Sequence, residues 1–396
     1  MREFSGVILR NATIYTPYST VDKGCIAIEN GYISRVGEGF CATDGMATID
    51  LDGHVVGPGF IDTHVHGILG LDVMSAKPDS LLSISRVLPR YGVTSFIPTT
   101  VTAPHSAIIE ICRAFTKAYS MWLPSTGARL LGLHLEGPYI NSSRAGAQNK
   151  QFVRRPSMEE FSEYIDTCRG FIRQVTVAPE IEGAIEFIEA LSTMGIFVQI
   201  GHTDATYREA SRGILAGASK ATHLYNGMRG IHHREPGASI ALLSTPGVYL
   251  ELIVDLIHVS KEMLKFTIDY AGVDRIVIVT DAISATGMPD GIYELGGLKI
   301  IVEGGVAKLV DGSTLAGSTL TMDRAFRNIV SLGYSMRDAF IMTAANPAKS
   351  IGAIEREKIG LIKPGYRADL VVLNKDLEVV ATIIEGHAVF DKNSLF

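Results

Sequence analysis

Residues 54–67 read HVVGPGFIDTHVHG, an apolar run over 55–63 that ends in the polar residues Asp62, His64 and His66. The same design recurs along the chain. Short runs rich in Val, Ile and Leu stand at 94–100 (TSFIPTT), 129–136 (RLLGLHLE), 172–178 (IRQVTVA), 196–202 (IFVQIGH), 220–224 (KATHL), 249–257 (YLELIVDLI) and 275–281 (RIVIVTD). Between them lie stretches with helical spacing of apolar residues, such as SLLSISRVLPRY, HSAIIEICRAFTKAY, EGAIEFIEALSTM and KEMLKFTIDYA, with 238–244 the weakest. Gly92, Gly170, Gly195, Gly217 and Gly272 are placed to end helices, and Ser157 and Ser260 to cap them. Strands apolar on both faces and alternating with helices imply a parallel sheet covered on both sides. Eight such units predict an α/β fold, a (β/α)₈ TIM-type barrel, with a doubly wound open sheet as the alternative.

The flanks read differently. Residues 1–53 and 367–391 alternate as short strands with turn signals, so a small β-sandwich domain is expected from both chain ends (1–53 and 352–396) around a barrel over 54–351. Residues 292–311 predict a hairpin excursion after the eighth strand, with Gly296-Gly297 and Gly304-Gly305 as turns. Thr321–Leu332 and Met336–Ile351 predict helices.

Composition excludes several classes. A chain of 396 residues with 46% hydrophobic and 20% charged residues can bury a large core, and its net charge of −6 without a long basic block argues against a nucleic-acid partner. No uninterrupted apolar stretch long enough to span a membrane is present, and the start MREFSGVILRNATIY lacks a leader's apolar run. Cys25, Cys41, Cys112 and Cys168 are widely spaced and suggest neither a disulfide framework nor a thiolate metal cluster. A cytoplasmic location with no membrane partner is the expectation. A P-loop and a GxSxG nucleophile elbow are both missing.

Barrel chemistry sits at the C-terminal ends of the strands, and those ends are strongly patterned here. The first carries Asp62, His64 and His66, the third Glu136, the fifth His202, the sixth His223 and the eighth Asp281. His64 and His66, two apart on a strand, face the same side and can share one ion. A single histidine in a barrel strand is more often a hydrogen-bonded core residue, the role expected for His134. Four histidines, one Glu and one Asp all at strand ends instead predict a site for a divalent metal, Zn²⁺ or Fe²⁺, with a position left open for water. Asp281 stands where it could reach that water from across the mouth.

PGFIDTHVHG, HLEGP, GHTDA, THLYNGM, HHREPG and the TDA of the eighth strand resemble the amidohydrolase superfamily, and within it the N-acetylglucosamine-6-phosphate deacetylase family, over nearly the whole chain. Many superfamily members use a carboxylated lysine from the fourth strand. IRQVTVAPE offers none, so the resemblance implies that Glu136 takes that place. It further implies that Glu136, His202 and His223 bind a catalytic metal, while His64 and His66 hold a second ion bridged through Glu136, giving one or two ions per subunit.

The implied activity is hydrolysis of the N-acetyl amide of N-acetyl-D-glucosamine 6-phosphate to D-glucosamine 6-phosphate and acetate. Asp281 would take a proton from the attacking water and deliver it to the departing sugar nitrogen. The substrate is implied to meet Arg234, His233 and the backbone around Asn226 and Gly227 at its phosphate, and His258 at a sugar hydroxyl. Ala316 and Gly317 would meet the acetyl end, and Ala147 and Gln148 the carbonyl region. Gln148 stands where some relatives carry His, and Gly227 where Ala is commoner. The family's dimers imply a homodimer with the HHREPG loop near the neighbouring active site. Competing readings are an amidohydrolase acting on a cyclic amide or an N-acyl amino acid, and a barrel that has become a binding protein.

Overall fold

A computed structural model describes residues 6–39, 41, 46–312 and 314–396. The reading of the chain's first five residues therefore lies outside the described residues. The predicted barrel is present. Its strands, Phe60–Val65, Val93–Thr100, Leu133–Glu136, Ile172–Val177, Phe197–Ile200, Lys220–Ala221, Tyr249–Ile253 and Ile276–Val279, pair in parallel in that order. The last and first are joined by a parallel bridge between Val65 and Ala282 and by the Asp281 amide donating to the His64 carbonyl at 3.0 Å. Deeper in the same seam Thr280 donates its hydroxyl to Asp62 at 2.5 Å. Burial drives the Asp62 carboxyl up to about 7 against the opposing pull of the Thr280 hydrogen bonds.

The run 55–63, read as one strand, is two. Val55–Pro58 pairs parallel with Gly6–Tyr15 and antiparallel with Leu370–Leu373, and the barrel begins only at Phe60. Gly59 lies between them, and a Cβ there would stand 2.1 Å from the Thr94 side chain, so a larger residue could not make this crossing unchanged. Both chain ends thus share one sheet, which closes on a core of its own containing Val7, Leu9, Ile26, Ile28, Val56, Leu370, Val372 and Ile383.

Ser157 and Ser260 cap helices Met158–Thr167 and Lys261–Ala271 as expected, each accepting an amide hydrogen from the third helical residue. The 292–311 excursion is a three-stranded antiparallel sheet, Gly291–Leu295, Leu298–Glu303 and Val306–Leu309. Met336–Ile351 is not one regular helix: a π-helical segment, Ile341–Ala345, separates Met336–Phe340 from Asn346–Ser350.

The cysteine expectation needs correction. Cys25 and Cys41 are joined as a disulfide, with Cα atoms 5.9 Å apart. Thr20–Glu29 and Tyr32–Glu38 pair antiparallel with Cys25 opposite Gly37, so the chain returns Cys41 to the same end of the hairpin. Sequence spacing alone does not show that return. Cys112 and Cys168 are free and buried. No helix among the described residues is long and apolar enough to cross a membrane.

Candidate active site

Six side chains from five strand ends converge at the C-terminal mouth of the barrel. Strand alternation puts His64 and His66 on one face, with Nε2 atoms 3.2 Å apart. Glu136 lies between the two arms of the cluster. Its Oε1 is 2.9 Å from His223 Nε2 and 3.2 Å from His202 Nε2, and its Oε2 is 3.3 Å from His66 Nε2. Asp281 Oδ1 closes the ring at 3.2 Å from His66 Nε2 and 3.6 Å from His64 Nε2. His202, His223 and Asp281 all have left-handed backbone, at φ of 47°, 25° and 53°. That conformation costs a non-glycine residue about 1–3 kcal/mol and recurs at functional sites.

The outer ring nitrogens explain which way the imidazoles face. His64 Nδ1 lies 3.3 Å from Glu251 Oε2, His66 Nδ1 lies 3.1 Å from the Thr99 carbonyl, and His202 Nδ1 lies 2.9 Å from the Arg144 carbonyl. Each can donate outward, which leaves the Nε2 lone pair for the centre, the tautomer a metal requires. His223 Nδ1 is buried without a hydrogen-bond partner. Two groups, His64–Glu136–His223 and His64–His66–Asp281, bring their ligand atoms within 4.8 Å of one another. The donor set is nitrogen and carboxylate oxygen, which fits a divalent transition metal.

Charge at the mouth is dense. Burial works to raise the Glu136 carboxyl, but the His64, His202 and His223 rings outweigh it and hold the group well below its usual range. Asp281 is lowered by His64 and His66 in the same way, and against burial the two carboxylates lift His66 to about 9. The two carboxylates thus favour a proton on His64, His66 and His202 in the metal-free protein. A divalent cation can take the place of those protons.

A cavity of about 340 Å³ opens over the cluster, lined by Ala147, Gln148, Asn226, Gly227, His258 and Gly317 among the residues expected there. Gln148 is occupied with the site's own parts: it donates to Glu136 Oε2 at 2.7 Å and accepts from the Thr102 amide at 2.6 Å. His258 is held by Asp255 at 2.7 Å. A Cβ on Gly227, where φ is +62°, would stand 2.8 Å from His202 Nδ1, so glycine leaves that ring its room. The Asn226 amide donates to the His223 carbonyl at 3.0 Å. Ala316 is fully buried and its amide donates to the Ala307 carbonyl. Arg234 and His233 do not line the cavity of the single chain; they are exposed and 2.8 Å from each other.

Below the mouth lies a polar floor that sequence reasoning missed. Lys220 and Glu251 are both fully buried, 2.7 Å apart. Lys220 also donates to Thr63 and to Gln174, at 3.1 and 3.2 Å. His134 sits beside them between Thr99 and Thr176, kept neutral by burial and by the neighbouring His64. A signal did exist: a lysine and a glutamate inside the apolar runs KATHL and YLELIVDLI have to find each other or another partner.

Residues 55–389 match the model of the Amidohydrolase family. N-acetylglucosamine-6-phosphate deacetylase of Bacillus subtilis is 37% identical over 389 residues, covering 97% of each chain. N-acetylgalactosamine-6-phosphate deacetylase of Escherichia coli O157:H7 is also 37% identical, over 96% of this chain and 98% of its own. A mutant of N-acetyl-D-glucosamine-6-phosphate deacetylase from Mycobacterium smegmatis, solved with N-acetyl-D-glucosamine-6-phosphate, superimposes with a TM-score of 0.91 at 34% identity, over 98% of this chain and 100% of that one. With the barrel, its strand-end cluster and these full-length likenesses in agreement, the chain belongs to the amidohydrolase family.

Proposed function

We propose that the protein hydrolyses the N-acetyl amide of N-acetyl-D-glucosamine 6-phosphate, releasing D-glucosamine 6-phosphate and acetate. The observation that carries this is the convergence of His64, His66, Glu136, His202, His223 and Asp281, with all four histidine Nε2 atoms turned to the Glu136 carboxylate, in a chain that aligns end to end with deacetylases of this substrate. Glu136, His202 and His223 are assigned to one Zn²⁺ or Fe²⁺ ion, and His64 and His66 to a second that shares Glu136. Bound there, the metal supplies a Lewis acid for the acetyl carbonyl and lowers the pKa of water. Asp281, buried and ionised, accepts the proton of the attacking water at a carboxylate oxygen. As the C–N bond breaks, the same oxygen returns that proton to the sugar nitrogen, while the hydroxyl stays with the acetyl carbon as acetate. Gln148 steadies Glu136 through this exchange, and His258, braced by Asp255, offers Nε2 to a sugar hydroxyl.

The phosphate needs a cation, and the cavity lining holds no Lys or Arg among the described residues. This supports a homodimer in which Arg234, with His233, reaches the cavity of the neighbouring subunit. The barrel, which begins at Phe60, then carries the chemistry, and the domain of both chain ends, with Val55–Pro58 as one of its strands, supports it.

The equal likeness to a deacetylase of the galactose epimer makes that sugar phosphate the competing substrate. Acetate release from the two 6-phosphates and from unphosphorylated N-acetylglucosamine, with bound metal counted in the same sample, tests the reading. Fastest turnover on N-acetylglucosamine 6-phosphate is expected; turnover confined to the galactose epimer would replace the substrate, and no acetate from any of them would overturn the reaction.

A further inference from the structure

Glu251, on the floor, touches two parts of the centre. Oε2 lies 3.3 Å from His64 Nδ1 and accepts from the His223 backbone amide at 3.3 Å. Oε1 lies 2.7 Å from Lys220 Nζ and accepts from Thr63 Oγ1 at 3.3 Å. With its amide turned to satisfy its neighbours, Gln199 donates to both oxygens, at 3.1 and 3.2 Å. One carboxylate thus grips the ring of a ligand-type histidine on the first strand and the backbone of another after the sixth. A carboxylate accepting from Nδ1–H fixes both the tautomer and the tilt of an imidazole. Lys220, fully buried and directed at the opposite oxygen, keeps Glu251 from turning away.

We infer that Glu251, anchored by Lys220, is a positioning residue that presents His64 Nε2 to the mouth and thereby sets the affinity of the His64 side of the centre for a divalent cation. The inference rests on the metal-centre reading given above.

Co²⁺ titrated calorimetrically into the metal-stripped full chain, with bound metal counted by elemental analysis, tests it in three proteins: the parent, Glu251→Gln, and the double variant Lys220→Met/Glu251→Leu. Glu251→Gln leaves Lys220 without its counter-charge, so its metal-free melting temperature falls, whereas the double variant removes both charges and recovers most of that loss. Affinity for Co²⁺ is expected to drop about 10- to 100-fold in both variants. If the carboxylate served only stability, affinity would return together with the melting temperature, and parent-like Co²⁺ binding by the folded double variant overturns the inference. Should the double variant not fold, unchanged affinity in Glu251→Gln at low temperature overturns it equally. If the parent itself takes up no Co²⁺, the metal-centre reading falls first and this inference with it.

Discussion

The mouth and the floor of the barrel both hold buried charge, but they balance it differently. On the floor, Lys220 meets Glu251 at 2.7 Å, and the remaining hydrogen bonds go to surrounding Thr and Gln side chains and, from Glu251, up to His64 and the His223 amide, so the pair carries its own counter-charge. At the mouth, Glu136 and Asp281 face imidazoles, with the neutral Gln148 amide as a further donor to Glu136; His202, His223 and Asp281 itself sit in left-handed backbone, and His223 Nδ1 has no partner among the described residues. A buried polar network complete in itself contributes architecture; one balanced only by exchangeable protons is built to receive something.

Substitutions can break this contrast from either side. Asp281→Asn strikes the mouth where chemistry occurs, and turnover should fall by about 10³-fold or more, equivalent to about 4 kcal/mol. Metal content should stay at the parental level. Acetate release beside elemental analysis checks both, and near-parental turnover would remove Asp281 from proton transfer. Lys220→Met strikes the floor, leaving Glu251 buried without its cation. Stability should fall by about 3–5 kcal/mol in denaturant unfolding, since breaking one side of a buried pair costs far more than the pair contributes.

Smaller effects sharpen the boundary of the mouth. Arg234→Ala should weaken binding of the sugar phosphate by about 10- to 100-fold, matching the loss of a charged hydrogen bond of about 1.5–3 kcal/mol, and leave the unphosphorylated sugar unaffected. Equal weakening of both, measured as KM, would detach Arg234 from the phosphate. Ser260→Ala, at a helix cap two residues beyond His258 and itself outside the cavity lining, should cost only about 1 kcal/mol in unfolding with kcat unchanged.

The barrel was legible because its evidence is local. Each strand announces itself by composition, each helix by period, and the strand-end rule then picks out His64, His66, Glu136, His202, His223 and Asp281 without any knowledge of pairing. What stayed hidden depends on partners remote in the chain. Val55–Pro58 is as apolar as a barrel strand, and only its pairing with residues near both ends removes it from the barrel. Cys25 and Cys41 meet because of a hairpin register, and Lys220 in the strand run KATHL has no identifiable partner until Glu251 is placed beside it. Gln148 lines the cavity, and its amide also holds Glu136 and the Thr102 amide, contacts no spacing reveals.

The sheet shared by the chain ends also bears on synthesis. Val55–Pro58 gains its partner Leu370–Leu373 only after roughly 300 further residues have left the ribosome, roughly 15–60 s of translation. Until then the nascent strands present an open edge, a template for unwanted pairing. Production of the protein should therefore be sensitive to chaperone supply and to growth temperature, even where the finished enzyme is stable.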